Sequence, residues 1–211
     1  MTWLARALAL ALLLPLVLAG PQRAWAGAPS EQLRAQIDRA VKILEDPELK
    51  KHPVQRRVQV RQVANDIFDF QETAKRSLAR HWAPRTQAER DEFVSLFSDL
   101  LERSYIGKIE LYGGEKIQFI GETVEGEGAV VRTKLLTKQG TEIPIDYRML
   151  RRSDRWLVYD VVIEGVSLIS NYRTQFNKII TTSSYEELIK KMKTKQEEFI
   201  HEETQKRTSQ R

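Results

Sequence analysis

The sequence contains no cysteine, which removes disulfides, thiol nucleophiles and thiolate metal sites together. Stability has to come from packing. Histidine is almost as scarce: His52, His81 and His201 stand far apart, so no helical i, i+4 pair is available for zinc. His81, beside Trp82, reads as a helix-end cation over the last carbonyls. There is no Gly-rich phosphate loop and no G-x-S-x-G elbow, since Gly165-Val-Ser167 lacks the second glycine. Long hydrophobic runs are absent except for one at the amino terminus.

That run extends from Ala7 to Ala19, broken by Pro15, with Arg6 before it and Ala24-Trp25-Ala26 behind it. A cation, a short apolar stretch and a small-x-small site are the parts of a secretory signal. A bilayer span needs about 20 apolar residues, so this stretch is short for an anchor. Cleavage is expected after Ala26, making 1–26 a signal peptide, 27–200 a single exported domain and 201–211 a frayed tail. Without Arg6 and Arg23, 32 basic residues face 29 acidic ones, a mild net of +3. The excess is local. Lys50, Lys51, Arg56, Arg57, Arg61, Lys75, Arg76, Arg80 and Arg85 face only Asp66, Asp69 and Glu72 in the same stretch. In an exported chain such a patch points to anionic headgroups, acidic partners or a solvated helical face, not to nucleic acid.

Periodicity orders the chain as helices, strands, helices. Leu33, Ile37, Val41 and Leu44 predict a first helix from Ser30, ended by Glu45-Asp46-Pro47. A second runs from about Pro53 to Phe68. Asp69 with Glu72 predicts a capped short helix to about His81. Thr86-Gln-Ala-Glu89 is a capping box, followed by Phe93, Leu96, Phe97, Leu100, Leu101 and Tyr105 on one face. Glu115–Thr123, Ala129–Thr137, Thr141–Arg151 and Arg155–Ile163 are β-branched and joined by short turns, which predicts a four-stranded antiparallel meander. After Gly165 the period lengthens: Ile169, Tyr172, Phe176 and Ile179 form one stripe. Ser183-Ser184 then caps a last helix carrying Tyr185, Leu188, Ile189 and Met192. The fold class is α+β, with N- and C-terminal helices packed on one antiparallel sheet.

Two features could carry function. Asp146 and Asp160 fall on adjacent strands, and Asp160 sits among apolar residues. Either could act as a general base on a hydrophobic substrate, or pair with Arg148, Arg151, Arg155 or Arg173 and fix strand register. The second feature is apolar excess: Val158, Tyr159, Val161, Val162 and Ile163 are apolar at successive alternating positions. A strand apolar on both faces is covered by helices on both sides or borders an apolar cavity.

Four segments in order resemble the MlaC family of periplasmic phospholipid-binding proteins. They are Ile67-Phe-Asp-Phe70 with the Ala74–Trp82 helix, Phe93-Val-Ser-Leu-Phe97 with Leu100-Leu101 and Tyr105, Ile143-Pro-Ile-Asp-Tyr-Arg148, and Trp156–Phe176. The resemblance implies a monomeric lipid carrier without turnover chemistry, with no cofactor and no metal, whose cargo is a glycerophospholipid. It implies exchange with an inner-membrane ABC transporter complex, through its substrate-capturing subunit, and with an outer-membrane lipoprotein–porin complex. The cargo is expected between sheet and helices. The lining would be Phe93, Phe97, Leu100 and Tyr105, then Ile145, Tyr147, Val161, Ile163 and Val166, and finally Ile169, Tyr172 and Phe176.

Overall fold

The computed structural model describes residues 28–209; the expected signal segment and its cleavage site lie outside them. Helix α1 (Pro29–Glu45) is followed by a one-turn helix α2 (Pro47–Lys51) and by α3 (Pro53–Ile67). The sequence reading passed over α2. Asp46 ends α1 but its carboxylate also accepts from the amides of Glu48 and Leu49, so one residue both stops a helix and caps the next. Helix α4 (Phe70–Leu78) leads through a 3₁₀ turn (Ala79–His81) to the long α5 (Gln87–Glu110). The Thr86 box forms as predicted: Thr86 Oγ1 accepts from the Glu89 amide at 3.3 Å, and the Glu89 carboxylate accepts from the Thr86 amide at 2.7 Å.

The α4 cap is half right. Asp69 accepts from the Glu72 amide at 2.9 Å, but the Glu72 side chain does not reach back. It pairs with Arg76 at 2.7 Å and with Arg152 at 3.1 Å. Arg152 also holds Asp69 at 2.7 Å, so the end of a strand clasps the start of α4.

The strands are β1 (Lys116–Glu125), β2 (Gly128–Leu136), β3 (Glu142–Arg152), β4 (Arg155–Ile163) and β5 (Val166–Ser167), antiparallel in that order. The predicted four-stranded meander is present; β5 is a two-residue addition formed as Glu164 and Gly165, at φ 50° and 82°, fold the chain back on Ile163. Gly165 adopts that conformation at little cost, whereas Glu164 does not.

A bulge in β4 answers the apolar excess. Arg148 pairs with Asp160 and Met149 with Val158, leaving Tyr159 as the extra residue. Trp156 and Val158 before the bulge therefore share a face with Val161 and Ile163 after it. Met149, Tyr147 and Ile145 of β3 and Ala129, Val131 and Thr133 of β2 lie on the same face by register. Leu33 and Ile37 of α1 close over it as one apolar cluster. The bulge also seats α4: the carbonyl of Val158 accepts from the Asp69 amide, and that of Tyr159 from Thr73 Oγ1.

The last two helices are α6 (Leu168–Thr182) and α7 (Tyr185–Ser209). With α4 and α5 they enclose a second cluster around Phe93, Phe97, Phe176, Leu188 and Met192. Helix α7 continues to Ser209, into the 201–211 segment expected to be a frayed tail. Among the described residues no helix is long and apolar enough to cross a membrane.

Candidate functional site

Of the twelve residues expected to surround a cargo, nine fall into two groups. Phe93, Phe97, Leu100, Tyr172 and Phe176 belong to the helical cluster. Their rings touch: Phe97 lies 5.0 Å from Tyr172 and 5.1 Å from Phe176, centroid to centroid, and 5.6 Å from Phe93. Ile169 is buried at the foot of α6. Ile145, Tyr147, Val161 and Ile163 belong instead to the cluster between sheet and α1. Tyr105 is half-buried on α5, under the ammonium of Lys108. Val166 is 61% exposed, because the positive-φ turn before it carries β5 to the sheet edge. The rings of the helical group pack on one another, and β4 leads through β5 into α6 as the covalent link between the groups.

Asp160 makes that link rigid. Only 3% exposed, its Oδ2 accepts from Arg148 at 3.1 Å and from Ser167 Oγ at 2.7 Å, while Oδ1 accepts from the Ile169 amide at 3.1 Å. Ser167 in turn caps α6 by accepting from the Ser170 amide. The carboxylate thus joins β3, β4, the N-cap and the first turn of α6, where a negative charge also suits the helix dipole. The pairing with arginine is the one observed for Asp160. Asp146 stands opposite Arg132 and Val162 in the register, and neither carboxylate lines the cavities described next.

Those cavities lie along α1. A groove of about 630 Å³ runs between α1 and α3, lined by Asp38, Arg39, Lys42, Ile43, Gln59 and Gln62 together with Ala35. A smaller pocket of about 260 Å³ opens from the same Ala35 toward Leu33, Ile67, Met149 and Trp156, with Gln32, Gln36, Asp66 and Arg155 at its polar side. Arg39 lines the first and Asp66 the second, and the two are paired at 2.7 Å. Sequence reasoning missed these residues. The α1 periodicity marked Leu33 and Ile37 as an inner face, but the distance to α3 that opens the groove is tertiary.

Much of the basic stretch is engaged within the fold. Arg57 makes a two-pronged pair with Glu110 at 3.0 and 2.9 Å, and Arg61 pairs with Glu102, so both bind α3 to α5. Burial holds the Glu102 carboxyl above the usual range despite that partner. Arg76 pairs with Glu72 and Arg85 with Glu89. Lys50, Lys51, Lys75 and Arg80 are exposed, Lys51 beside Glu48 and Arg80 against Asn177. Among the described residues no group of three His, Asp or Glu is placed to hold a metal ion.

Two phenols report on the packing. Burial pushes Tyr147 up to about 12, opposed by its hydrogen bond with Thr133. Burial also pushes Tyr185 up to about 12, reinforced by Glu89 and Glu92. The unfolded chain releases these protons near 10, so the folded state holds them longer. That contribution is whole below pH 10 and is lost as pH rises toward 12. A phenolate absorbance titration should show Tyr147 and Tyr185 ionising late, with unfolding setting in above pH 10; Tyr147→Phe should make the alkaline decline shallower.

The comparisons with known proteins agree with one another. Residues 34–194 match the family described as MlaC protein. A curated relative, the intermembrane phospholipid transport system binding protein MlaC of Haemophilus influenzae, is 25% identical over 138 residues, 62% of this chain and 64% of that relative. A solved phospholipid-binding protein of Ralstonia solanacearum, in complex with a phospholipid, superposes with a TM-score of 0.74 at 22% identity, over 82% of this chain and 99% of that one. The family match takes in the whole sheet and most of the helical layer, and the chain belongs to the MlaC family.

Proposed function

We propose that this protein is a periplasmic carrier of glycerophospholipid that exchanges its cargo with an inner-membrane ABC transporter complex and an outer-membrane lipoprotein–porin complex, without chemical turnover. The observation that carries the reading is a cleft with a charged mouth and an apolar floor, in a chain of this family. The Haemophilus relative is named for intermembrane phospholipid transport, and the Ralstonia protein, of the same fold, holds a phospholipid. The energetics require such a carrier. Each methylene withdrawn from water is worth ~0.8 kcal/mol, so a sixteen-carbon chain exposed in transit would cost roughly 12 kcal/mol. The carrier's interior must approach the bilayer in apolarity without exceeding it, because a deeper trap would not release. A docked partner then needs only a modest differential affinity for the open form.

Denaturing extraction of protein purified from the cell envelope, followed by mass spectrometry, should yield phospholipid in stoichiometric amount. Protein that is folded and empty would overturn the reading. Amino-terminal sequencing of the same material should begin at Gly27; a start before Leu18 would make the segment an anchor.

A further inference from the structure

We propose that the outer side of α3 and the end of α5 form a membrane-docking face: Val54, Val58, Ile109 and Leu111 enter the interface of an anionic bilayer while the lysines around them meet its headgroups. The face rests on the carrier reading for its setting, among lipid surfaces, and adds to it a direct contact with the surface itself.

Four of the large apolar side chains exposed among the described residues gather at one ion pair. Val54 and Val58, 54% and 58% exposed, stand on either side of Arg57 in α3; Ile109 and Leu111, 40% and 81% exposed, stand on either side of Glu110 at the end of α5. Arg57 grips Glu110 with two hydrogen bonds, so a bond between their neighbours brings the two pairs together. Spacing along α3 agrees: Val54 and Val58 lie four residues apart on one side, whereas Val60 and Val63 are buried on the other. The support beneath is rigid. Tyr112 packs inward with Leu44, Val60 and Ile106, and its hydroxyl donates to the Glu115 carbonyl at 3.0 Å. Leu111, next to it, projects outward. Gly114, at φ 102°, then turns the chain toward β1. Scattered exposed leucines and valines are ordinary, but a cluster of four on a fixed support marks a contact surface.

The surroundings select a bilayer as the occupant. Lys50 and Lys51 are exposed on α2 just ahead of Val54, and Lys108 is exposed just before Ile109. Lys138 reaches over from the β2–β3 turn to Gly113, where an added Cβ would lie 3.3 Å from its ammonium. The carboxylates nearby are engaged: Glu110 with Arg57, Glu48 with Lys51, and Glu115 with the Gly113 amide. Apolar side chains ringed by lysines match an interface in which acyl chains lie beneath anionic headgroups. The long lysine stems keep their ammonium groups at headgroup level while the apolar side chains sink below it. A second copy of the chain suits this face poorly, because two-fold pairing would set lysines against lysines. A projecting leucine also fits a fluid interface better than the walls of a groove.

The absence of cysteine makes the test direct. Leu111→Cys and Val166→Cys each accept a single polarity-sensitive dye, the second as an exposed control on β5, at the opposite edge of the sheet from β1. Protein isolated from the cell envelope is mixed with vesicles of phosphatidylcholine alone and of phosphatidylcholine with phosphatidylglycerol, and its own phospholipid content is measured by mass spectrometry. The dye at 111 should shift to shorter wavelength on the phosphatidylglycerol vesicles, the dye at 166 should not, and binding should weaken as salt is added. Val58→Ser with Leu111→Ser, unlabelled, should lower vesicle affinity about tenfold at every salt concentration. Lys50→Gln with Lys51→Gln should lower it about tenfold at low salt and little at high salt. Both pairs lie on the surface and should leave melting and bound phospholipid as in the wild type. Protein that keeps its phospholipid but ignores phosphatidylglycerol vesicles would overturn the face and leave the carrier reading standing. Vesicle binding by protein empty of phospholipid would uphold the face and overturn that reading. An equal shift at 166 would place the contact elsewhere and overturn the face. Binding to native envelope membranes but not to vesicles of their extracted lipid would overturn it in favour of a protein receptor.

Discussion

Phe97→Ala is expected to lower stability by about 3–5 kcal/mol, enough to bring a domain of ordinary stability close to unfolding at 37 °C. The side chain is 1% exposed and meets three aromatic partners: Phe93 in a stacked arrangement, Tyr172 and Phe176 edge to face. Each such pair adds roughly 0.5–1.5 kcal/mol beyond area burial, and their loss comes on top of the cavity left behind. The surroundings have little freedom to collapse, since the partners come from α5 and α6 and are held by Leu188 and Met192 of α7. Urea unfolding followed by circular dichroism should show the midpoint falling without a change in slope, the sign of lost packing rather than altered compactness. Phospholipid per folded molecule should stay constant, because the rings that surround Phe97 contact one another rather than open space. Altered occupancy in the folded fraction would place the acyl chain among these rings, as the sequence first suggested.

The contrast between the two clusters explains what could be read in advance. Thr86 and Glu89 form their box because a capping box is a local device, complete within four residues. The inner face of α5 and the stripe from Ile169 to Phe176 were legible for the same reason: helical spacing alone puts those side chains together. The strands were legible from their turns, and the meander from the shortness of those turns. The β4 bulge was not. Apolar residues on both alternating positions are compatible with a strand buried on two faces, and only the register of Arg148 and Met149 shows that Tyr159 is the extra residue. Charges were the least legible of all. Arg57 and Arg61 read as a surface patch because their partners, Glu110 and Glu102, lie over forty residues away in the chain. The groove follows the same logic. Asp38, Arg39 and Lys42 look like an ordinary solvated helix edge until α3 is placed beside them.

Asp160→Ala should cost about 3 kcal/mol or more, the penalty for removing one member of a buried ion pair. Arg148 is 43% exposed on its side chain and recovers hydration, which keeps the loss toward the lower end. The greater part comes from the other two donors. The Ile169 amide is buried and would be left without its acceptor, and Ser167 would lose the carboxylate that orients its cap on Ser170. Asp160→Asn preserves an acceptor for Ile169 but brings an amide donor toward Arg148 and Ser167, so it should fall between the wild type and Asp160→Ala. Hydrogen exchange resolves the mechanism: the Ile169 and Ser170 amides should lose protection in the alanine variant more than those of α5. A catalytic base would behave otherwise. Its replacement by asparagine would abolish turnover of a hydrophobic substrate while stability and exchange at α6 stayed near wild type. The three hydrogen bonds on one carboxylate favour the clasp. Through it, any shift of β4 relative to the helical layer is transmitted to the start of α6, so the variant that frees α6 should also retain its phospholipid less firmly when transfer to acceptor vesicles is timed.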